Sequence, residues 1–468
     1  MPQRRRSKTT KETGRDLIAA IITPPGEGGI GALRVAGDGA LDLCAPVLRW
    51  TDSAARPHPF YMKRATLTDT ESGEELDDVM AVWMPPGKSY TGDEQVEIFS
   101  HGGRVVLRRI LQALFDAGAR PADPGEFTRR AFLCGRIDLT EAEAVAEIIS
   151  AKSDFAYRAA RDNLFGKTSR LVEQLREKVT RLAALLEANV DFPEEDIETN
   201  DYREIRGLCG ESQSALRALR DSYTGGAIIR DGFRIALCGR PNAGKSSLFN
   251  ALLKTHRAII SETPGTTRDY LSEWIQVGDI AVELSDTAGM RDSPGQIESL
   301  GQEFSRAIAE RAELILWIAD VTEADCRRTI PKDLAPGARN YLVVANKIDL
   351  LDESDISSLR EGADRIALIS CKTGAGLDDL EKALENEIQT RLGDQVDGYF
   401  VTSERHQQKF SAALTALDHV ELGIKENASP ELLAFDVRQA LNALDEITGR
   451  VYTEDLLEVV FSSFCVGK

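Results

Sequence analysis

No apolar run in this 468-residue chain approaches the ~18 residues that a membrane span needs, so no transmembrane helix is expected. An amphipathic basic helix is missing as well, which argues against a membrane-remodelling role. Cysteine is scarce and scattered: Cys44, Cys134, Cys209, Cys238, Cys326, Cys371 and Cys465. The number is odd and no Cys-x-x-Cys pair occurs, so neither a disulfide framework nor a zinc knuckle is expected, and a reducing compartment fits. His58, His101, His256, His406 and His419 show no metal spacing, and His101 beside Gly102-Gly103 reads as a turn residue. Positive charge is outweighed, with 57 basic against 76 acidic residues and a net charge of −19. That balance argues against non-specific coating of nucleic acid or anionic membrane. It leaves room for a local basic site, or for a nucleic-acid substrate held mainly by a partner.

What is present is an ordinary folding composition, 42% apolar and 28% charged, at a length that suits ~3 domains. Arg4, Arg5, Arg6, Lys8, Lys11 and Arg15 precede a short apolar run that ends at Pro24-Pro25-Gly26 without a small-residue cleavage site. Residues 1–15 therefore read as a disordered basic tail rather than a signal peptide. Residues 16–130 mix β-prone runs at 17–22, 32–35, 79–83 and 96–99 with a helical pattern over 105–117. Helical spacing dominates 141–223, interrupted by the acidic turn 191–196, and Thr224-Gly225-Gly226 reads as a hinge. Six β-prone runs at 233–238, 273–277, 280–285, 314–319, 341–345 and 366–369 then alternate with helices. Helices return over 402–464. The fold class expected is a multidomain α/β plus α-helical chain. An N-terminal α/β domain (16–130) precedes a helical bundle (131–226 and 393–468). A P-loop domain with a doubly wound, Ras-like sheet (230–392) is inserted into the bundle.

Gly239-Arg240-Pro241-Asn242-Ala243-Gly244-Lys245-Ser246-Ser247 fits G-x-x-x-x-G-K-[ST] directly after a strand. Its glycines admit backbone N–H groups to a phosphate, Lys245 adds a point charge, and the Ser246 hydroxyl suits Mg2+. Asp286-Thr287-Ala288-Gly289 ends a later strand, where Asp286 can hold the Mg2+ shell and the Gly289 N–H can meet a γ-phosphate. Asn346-Lys347-Ile348-Asp349 supplies a carboxylate, Asp349, for two N–H donors of guanine that adenine lacks, and Ser370-Cys371-Lys372 backs the base. Order and spacing resemble the translation-factor-like GTPases, which implies GTP. Thr267, in Gly265-Thr266-Thr267-Arg268-Asp269, stands where a switch threonine would meet Mg2+ and the γ-phosphate.

Two positions are less routine. Met290 follows Gly289, where many small GTPases place a water-orienting glutamine. Glu298 on the next segment is a substitute acting through a bridging water, or a solvated carboxylate; the residues alone leave both open. Asn242 offers an oxygen for a monovalent cation that would stand in for an arginine finger, and no arginine is a compelling finger by position. GTP hydrolysis is therefore expected to run faster in KCl than in NaCl at matched ionic strength. Equal rates would remove the cation.

Further stretches carry a more specific resemblance: Thr23-Pro24-Pro25-Gly26, Gly31-Ala32-Leu33-Arg34, Ser89-Tyr90-Thr91-Gly92, His101-Gly102-Gly103, Pro124-Gly125-Glu126-Phe127 and the tail Phe464-Cys465-Val466-Gly467-Lys468. With the GTPase motifs they resemble the family of tRNA-modification GTPases called MnmE or TrmE, over nearly the whole chain. That resemblance implies a homodimer whose N-terminal domain binds 5,10-methylene- or 5-formyl-tetrahydrofolate. It implies an FAD-binding partner, MnmG or GidA, in a heterotetramer or larger assembly, and a cytoplasmic location. The joint product is an aminomethyl or carboxymethylaminomethyl group on C5 of the wobble uridine of tRNA. The cycle is driven by K+-stimulated GTP hydrolysis as the GTPase domains pair. By position it assigns K+ to Asn242, Ser261, Thr263 and Thr266, a catalytic glutamate to Glu298, and folate contacts to Arg34, Glu97, Arg136 and Lys468. A pterin presents an amino-pyrimidinone edge suited to a carboxylate, and its glutamate tail suits cations. Arg136 stands where another member has lysine. Cys465 reads either as a nucleophile or as a small buried side chain beside the folate site. The rival from another class is a regulatory GTPase switch on RNA or a ribosome without folate chemistry, separated by folate binding.

Overall fold

The computed structural model describes residues 16–51, 57–191, 199–255, 271–286, 311–322, 340–360, 365–393 and 398–468. They fall into two compact units, Met1–Ala146 with Leu164–Ser169 and Thr448–Lys468, and Glu147–Asn163 with Arg170–Ile447.

In the first unit seven strands form one sheet: β1 (Ile18–Ile21), β2 (Gly28–Ala36), β3 (Leu48–Trp50), β4 (Lys63–Thr68), β5 (Glu75–Met84), β6 (Gln95–Gly102) and β7 (Arg120–Pro121). Their order is β3-β4-β5-β6-β2-β1-β7. The period-two alternation decides the faces. Leu33, Val35, Val96 and Ile98 point inward and pack with Leu107, Ile110 and Leu114 of helix Arg104–Asp116. Arg34 and Glu97 therefore share the other face, and the antiparallel register sets them directly opposite each other. Helix Glu126–Leu133 starts from Gly125 at φ 66°. Its first residue is held by Arg120 and Arg130. Burial works to raise the Glu126 pKa, but these guanidiniums and the Asp123 N–H bring it down to about 2. The chain closes with helix Glu454–Ser462 and a tail packed on this same unit: Phe127 N donates to Lys468 O at 3.1 Å and Gly125 N to Cys465 O at 3.4 Å.

Among the described residues the second unit holds two large cores and two smaller clusters. Helices Lys167–Asp191, Thr199–Asp221, Glu404–Lys425 and Pro430–Thr448 bury Leu182, Leu216, Phe410, Leu417, Val437 and Leu444 together. Segments on either side of the nucleotide-type sheet thus contribute to one bundle. That sheet contains β8 (Phe233–Gly239), β9 (Leu271–Val277), β10 (Ile280–Asp286), β11 (Leu314–Asp320), β12 (Tyr341–Asn346) and β13 (Ile366–Ile369) in the order β13-β12-β11-β8-β10-β9. All neighbours are parallel except β9 against β10. The order reverses at β8, so the ends of β8, β10, β11, β12 and β13 surround a crevice. The fold class read from the sequence holds. No helix among the described residues is long and apolar enough to cross a membrane.

Two local expectations are corrected. Gly225-Gly226 is not a hinge but part of helix Tyr223–Asp231. A Cβ on Gly225 would lie 2.1 Å from Leu392 O, and one on Gly226 1.9 Å from Val401 O. These glycines serve close packing. Val401 N also donates to Ser222 Oγ at 3.2 Å, and Arg230 Nη1 to Thr402 O at 2.6 Å. His101 is not in a turn but in β6, where Asp77 accepts from its backbone N–H at 2.9 Å and pairs with its Nδ1 at 2.7 Å. The Asp77 hydrogen bond raises the His101 pKa.

Candidate functional site

The phosphate loop leaves β8 at its carboxyl end and runs into helix Lys245–Thr255. Its backbone permits few alternatives. Asn242 has φ 64°, a left-handed conformation that asparagine tolerates. Gly244 has φ +102°, and a Cβ there would lie 2.2 Å from Asn346 Nδ2. Lys245 is 8% exposed, and its Nζ donates at 2.9 Å to both Gly239 O and Arg240 O, drawing the ammonium over the loop. Ser246 Oγ donates to Asp286 Oδ2 at 2.9 Å, and Asp286 is 1% exposed at the end of β10. A hydroxyl and a buried carboxylate at that separation beside a helix N-terminus are the donor set that suits Mg2+ on a nucleotide phosphate. Ala243 is buried, whereas Asn242 and Ser247 are exposed around it.

Asn346, the last residue of β12, joins two loops to its own strand. Its Nδ2 donates to Ala243 O at 3.0 Å, and its Oδ1 accepts from Cys371 N at 3.1 Å. Phosphate loop, β12 and the loop after β13 are thereby tied through one buried amide. Ser370 Oγ donates to Asp349 Oδ1 at 2.6 Å and accepts from Thr373 N at 3.2 Å. The Asp349 carboxylate is thus oriented at one oxygen while the residue stays exposed, as does Lys372. Lys347, at φ 74°, pairs with Asp320 at the end of β11. Burial alone would raise the Asp320 pKa, but the hydrogen bonds from Lys347 and Thr322 lower it. Sequence motifs did not single out Asp320; a lone carboxylate ending an apolar strand was the available signal. Ser261, Thr263, Thr266, Thr267, Gly289, Met290 and Glu298 lie outside the described residues, as does the acidic turn after Asp191.

A second cluster forms in the first unit. Arg34 donates through Nε to Glu97 Oε1 at 3.0 Å, with Nη2 at 2.9 Å from the same oxygen. Gln95 Nε2 donates to that oxygen as well, at 2.9 Å. The Arg34 guanidinium lies 5.1 Å from the Tyr90 ring centre and 5.3 Å from that of Phe127. Half-buried Lys468 is close enough for its pKa to respond: burial lowers it first, Arg34 lowers it further, and Glu97 opposes both. Arg34, Glu97 and Lys468 are thus brought together from three distant stretches. Arg136 is exposed and donates to Gly87 O at 2.9 Å, in the turn that also carries Tyr90. Two buried atoms in the cluster have no hydrogen-bond partner: Arg34 Nη1 and Gln95 Oε1. Such atoms cost free energy unless a ligand or water satisfies them. They fit a folded-in polar ring such as a pterin. The sequence reading did not pick out Gln95, whose role depends on a neighbour two residues along the strand. Cys465 is exposed, so the buried-side-chain alternative for it does not stand.

Comparison with known proteins covers both units. A family profile described as "MnmE helical domain" matches residues 139–465, and one described as "GTP-binding protein TrmE N-terminus" matches residues 17–136. The chain is 39% identical over 459 residues to a protein of Aquifex aeolicus named "tRNA modification GTPase MnmE", covering 97% of this chain and 100% of that one. A protein of the same name from Natranaerobius thermophilus is 37% identical over 455 residues, covering 97% and 99%. Another from Heliobacterium modesticaldum is 38% identical over 470 residues, covering 97% and 99%.

Proposed function

The chain belongs to the MnmE family of tRNA modification GTPases, and from that premise we propose that it couples GTP hydrolysis to folate-dependent modification of the wobble uridine of tRNA. Its β8 loop grips the phosphates: Lys245 exchanges its carbonyl partners for phosphate oxygens, and the loop N–H groups follow. Ser246 and Asp286 would hold Mg2+, which when bound neutralises charge between the β- and γ-phosphates. Thr267 joins that shell. Asp349 reads guanine N–H donors, oriented by Ser370. Glu298 positions the attacking water in place of Met290. Asn242, Ser261, Thr263 and Thr266 would hold K+, which when bound would supply the positive charge that an arginine finger supplies elsewhere. In the N-terminal unit Arg34, Glu97, Arg136 and Lys468 hold a tetrahydrofolate that supplies the one-carbon unit. The FAD group resides on the MnmG partner, and the chain works as a homodimer within that larger assembly. Exposed Cys465, beside the cluster, is available to the modification chemistry.

The observation that carries this reading over a GTPase switch without carbon chemistry is the second cluster. Two buried orphan atoms beside a paired Arg34–Glu97 support a polar ligand in the N-terminal unit, which a switch without carbon chemistry does not require. The test is mass spectrometry of tRNA nucleosides from cells with and without the gene. Loss of aminomethyl-type wobble uridines on deletion is expected, restored by the wild-type chain and not by Asp286→Ala. Unchanged wobble uridines would overturn the proposal.

A further inference from the structure

We infer that Gln95 is a specificity-determining residue of the Arg34–Glu97 cluster, its Oε1 accepting the exocyclic amino N–H of the bound pterin ring; this rests on the folate reading above. Glu97 is the hub of the cluster. Its Oε1 already accepts from Arg34 Nε at 3.0 Å, from Gln95 Nε2 at 2.9 Å, and lies 2.9 Å from Arg34 Nη2. One carboxylate oxygen is thereby saturated, and Glu97 has only Oε2 to offer a ligand. An amino-pyrimidinone edge presents, in sequence, a carbonyl oxygen, a ring N–H and an amino N–H. It therefore needs one donor and two acceptors.

The cluster supplies one unpartnered donor and one unpartnered acceptor beside Glu97. Arg34 Nη1 is a buried donor without a partner, and Gln95 Oε1 a buried acceptor without one. Both belong to side chains that hydrogen-bond the same Glu97 oxygen, so both orphan atoms lie next to that one carboxylate. Arg34 stands on β2 and Gln95 on β6. The amide orientation of Gln95 is fixed by chemistry: an ionised carboxylate accepts only, so Nε2 must face Glu97 and Oε1 must face away. Its Nε2 also lies 3.7 Å from Met84 Sδ. Gln95 is 0% exposed, so bulk water does not satisfy its acceptor. The match is donor to ring carbonyl, Glu97 Oε2 to ring N–H, and Gln95 Oε1 to the amino group.

The test measures equilibrium binding of 5-formyl-tetrahydrofolate and of its 2-desamino analogue to the full-length protein, wild type and Gln95→Met. The methionine keeps the volume and removes the acceptor. Wild type is expected to bind the desamino analogue about tenfold more weakly than 5-formyl-tetrahydrofolate, the worth of one hydrogen bond. Gln95→Met is expected to bind 5-formyl-tetrahydrofolate about tenfold more weakly than wild type does, and to treat the two ligands alike. Should Gln95→Met melt early, Gln95→Leu asks the same question. Discrimination retained in the variant would overturn the inference, because Gln95 would then act only by holding Glu97. Affinity within twofold of wild type would overturn it too. A wild-type chain that binds neither ligand would instead bring down the folate reading itself.

Discussion

Gly244→Ala is expected to weaken guanine-nucleotide binding by at least ~100-fold while leaving the chain folded. Two effects combine at this position. Its φ of +102° lies where an L side chain is strained, which costs about 1–3 kcal/mol. The new Cβ would lie 2.2 Å from Asn346 Nδ2, so that amide must move. Moving it breaks the bonds to Ala243 O and to Cys371 N, each worth about 1 kcal/mol. The phosphate loop then loses its link to the loops that carry Asp349 and Ser370. Titration of a fluorescent GDP analogue measures the loss. Asn346→Ala should also weaken binding, and the double variant should cost less than the two single losses combined, since each disrupts the same joint. Affinity within twofold of wild type for Gly244→Ala would contradict the crowded geometry.

The second large effect concerns Gly226. Alanine normally stabilises a helix interior by roughly 0.5–1 kcal/mol relative to glycine. Gly207, on helix Thr199–Asp221 with nothing within 4 Å of a Cβ, should follow that rule when changed to alanine. Gly226→Ala should do the opposite and destabilise by about 3 kcal/mol. Its Cβ would press to 1.9 Å from the Val401 carbonyl oxygen, a backbone atom that cannot swing aside. The readout is the susceptibility of the second unit to limited proteolysis and the first melting transition, compared between the two alanine variants. A hinge at this position would have tolerated the change, so equal behaviour of the variants would restore the hinge.

Much of the fold was legible because the decisive patterns are local. The strands of the β8–β13 sheet coincide with β-prone runs, and each lies within two residues of its sequence boundary at either end. β4 was not legible: Lys63-Arg64-Ala65-Thr66-Leu67-Thr68 buries only its alternate residues, and its charged positions masked the period of two. Helix Glu126–Leu133 was hidden by its two adjacent arginines and its Pro124-Gly125 start. Gly225-Gly226 misled because glycine serves both freedom and close approach, and only the carbonyls of Leu392 and Val401 decide which. At the phosphate site the residues were legible as a motif, but the joint made by Asn346 was not, since its partners are set by where two distant loops meet the end of β12. Arg34 and Glu97 lie far apart in sequence, and only the register of β2 against β6 pairs them. Resemblance could point to both; it could not reveal that Glu97 Oε1 is saturated or that Gln95 is left with a free acceptor.

The close approach of Gly226 to Val401 also bears on chain entropy. The polypeptide leaves the helical bundle after Asp231 and rejoins it at Val401, and these two crossings are held together by Ser222 and Arg230 as well as by the glycine. A segment threaded between two points already in contact is a loop closed by its host. Closure entropy grows only logarithmically with length, about 0.6 kcal/mol for each doubling. By that scaling, closing the bundle over a flexible stretch as long as residues 232–400 costs only about 3 kcal/mol more than closing it over a four-residue turn. The sheet is nevertheless tied to its host: Ile228, Ile229 and Phe400, at the two crossings, bury together with Phe233, Leu237 and Leu384, so the insert can lengthen its loops more freely than it can loosen its core.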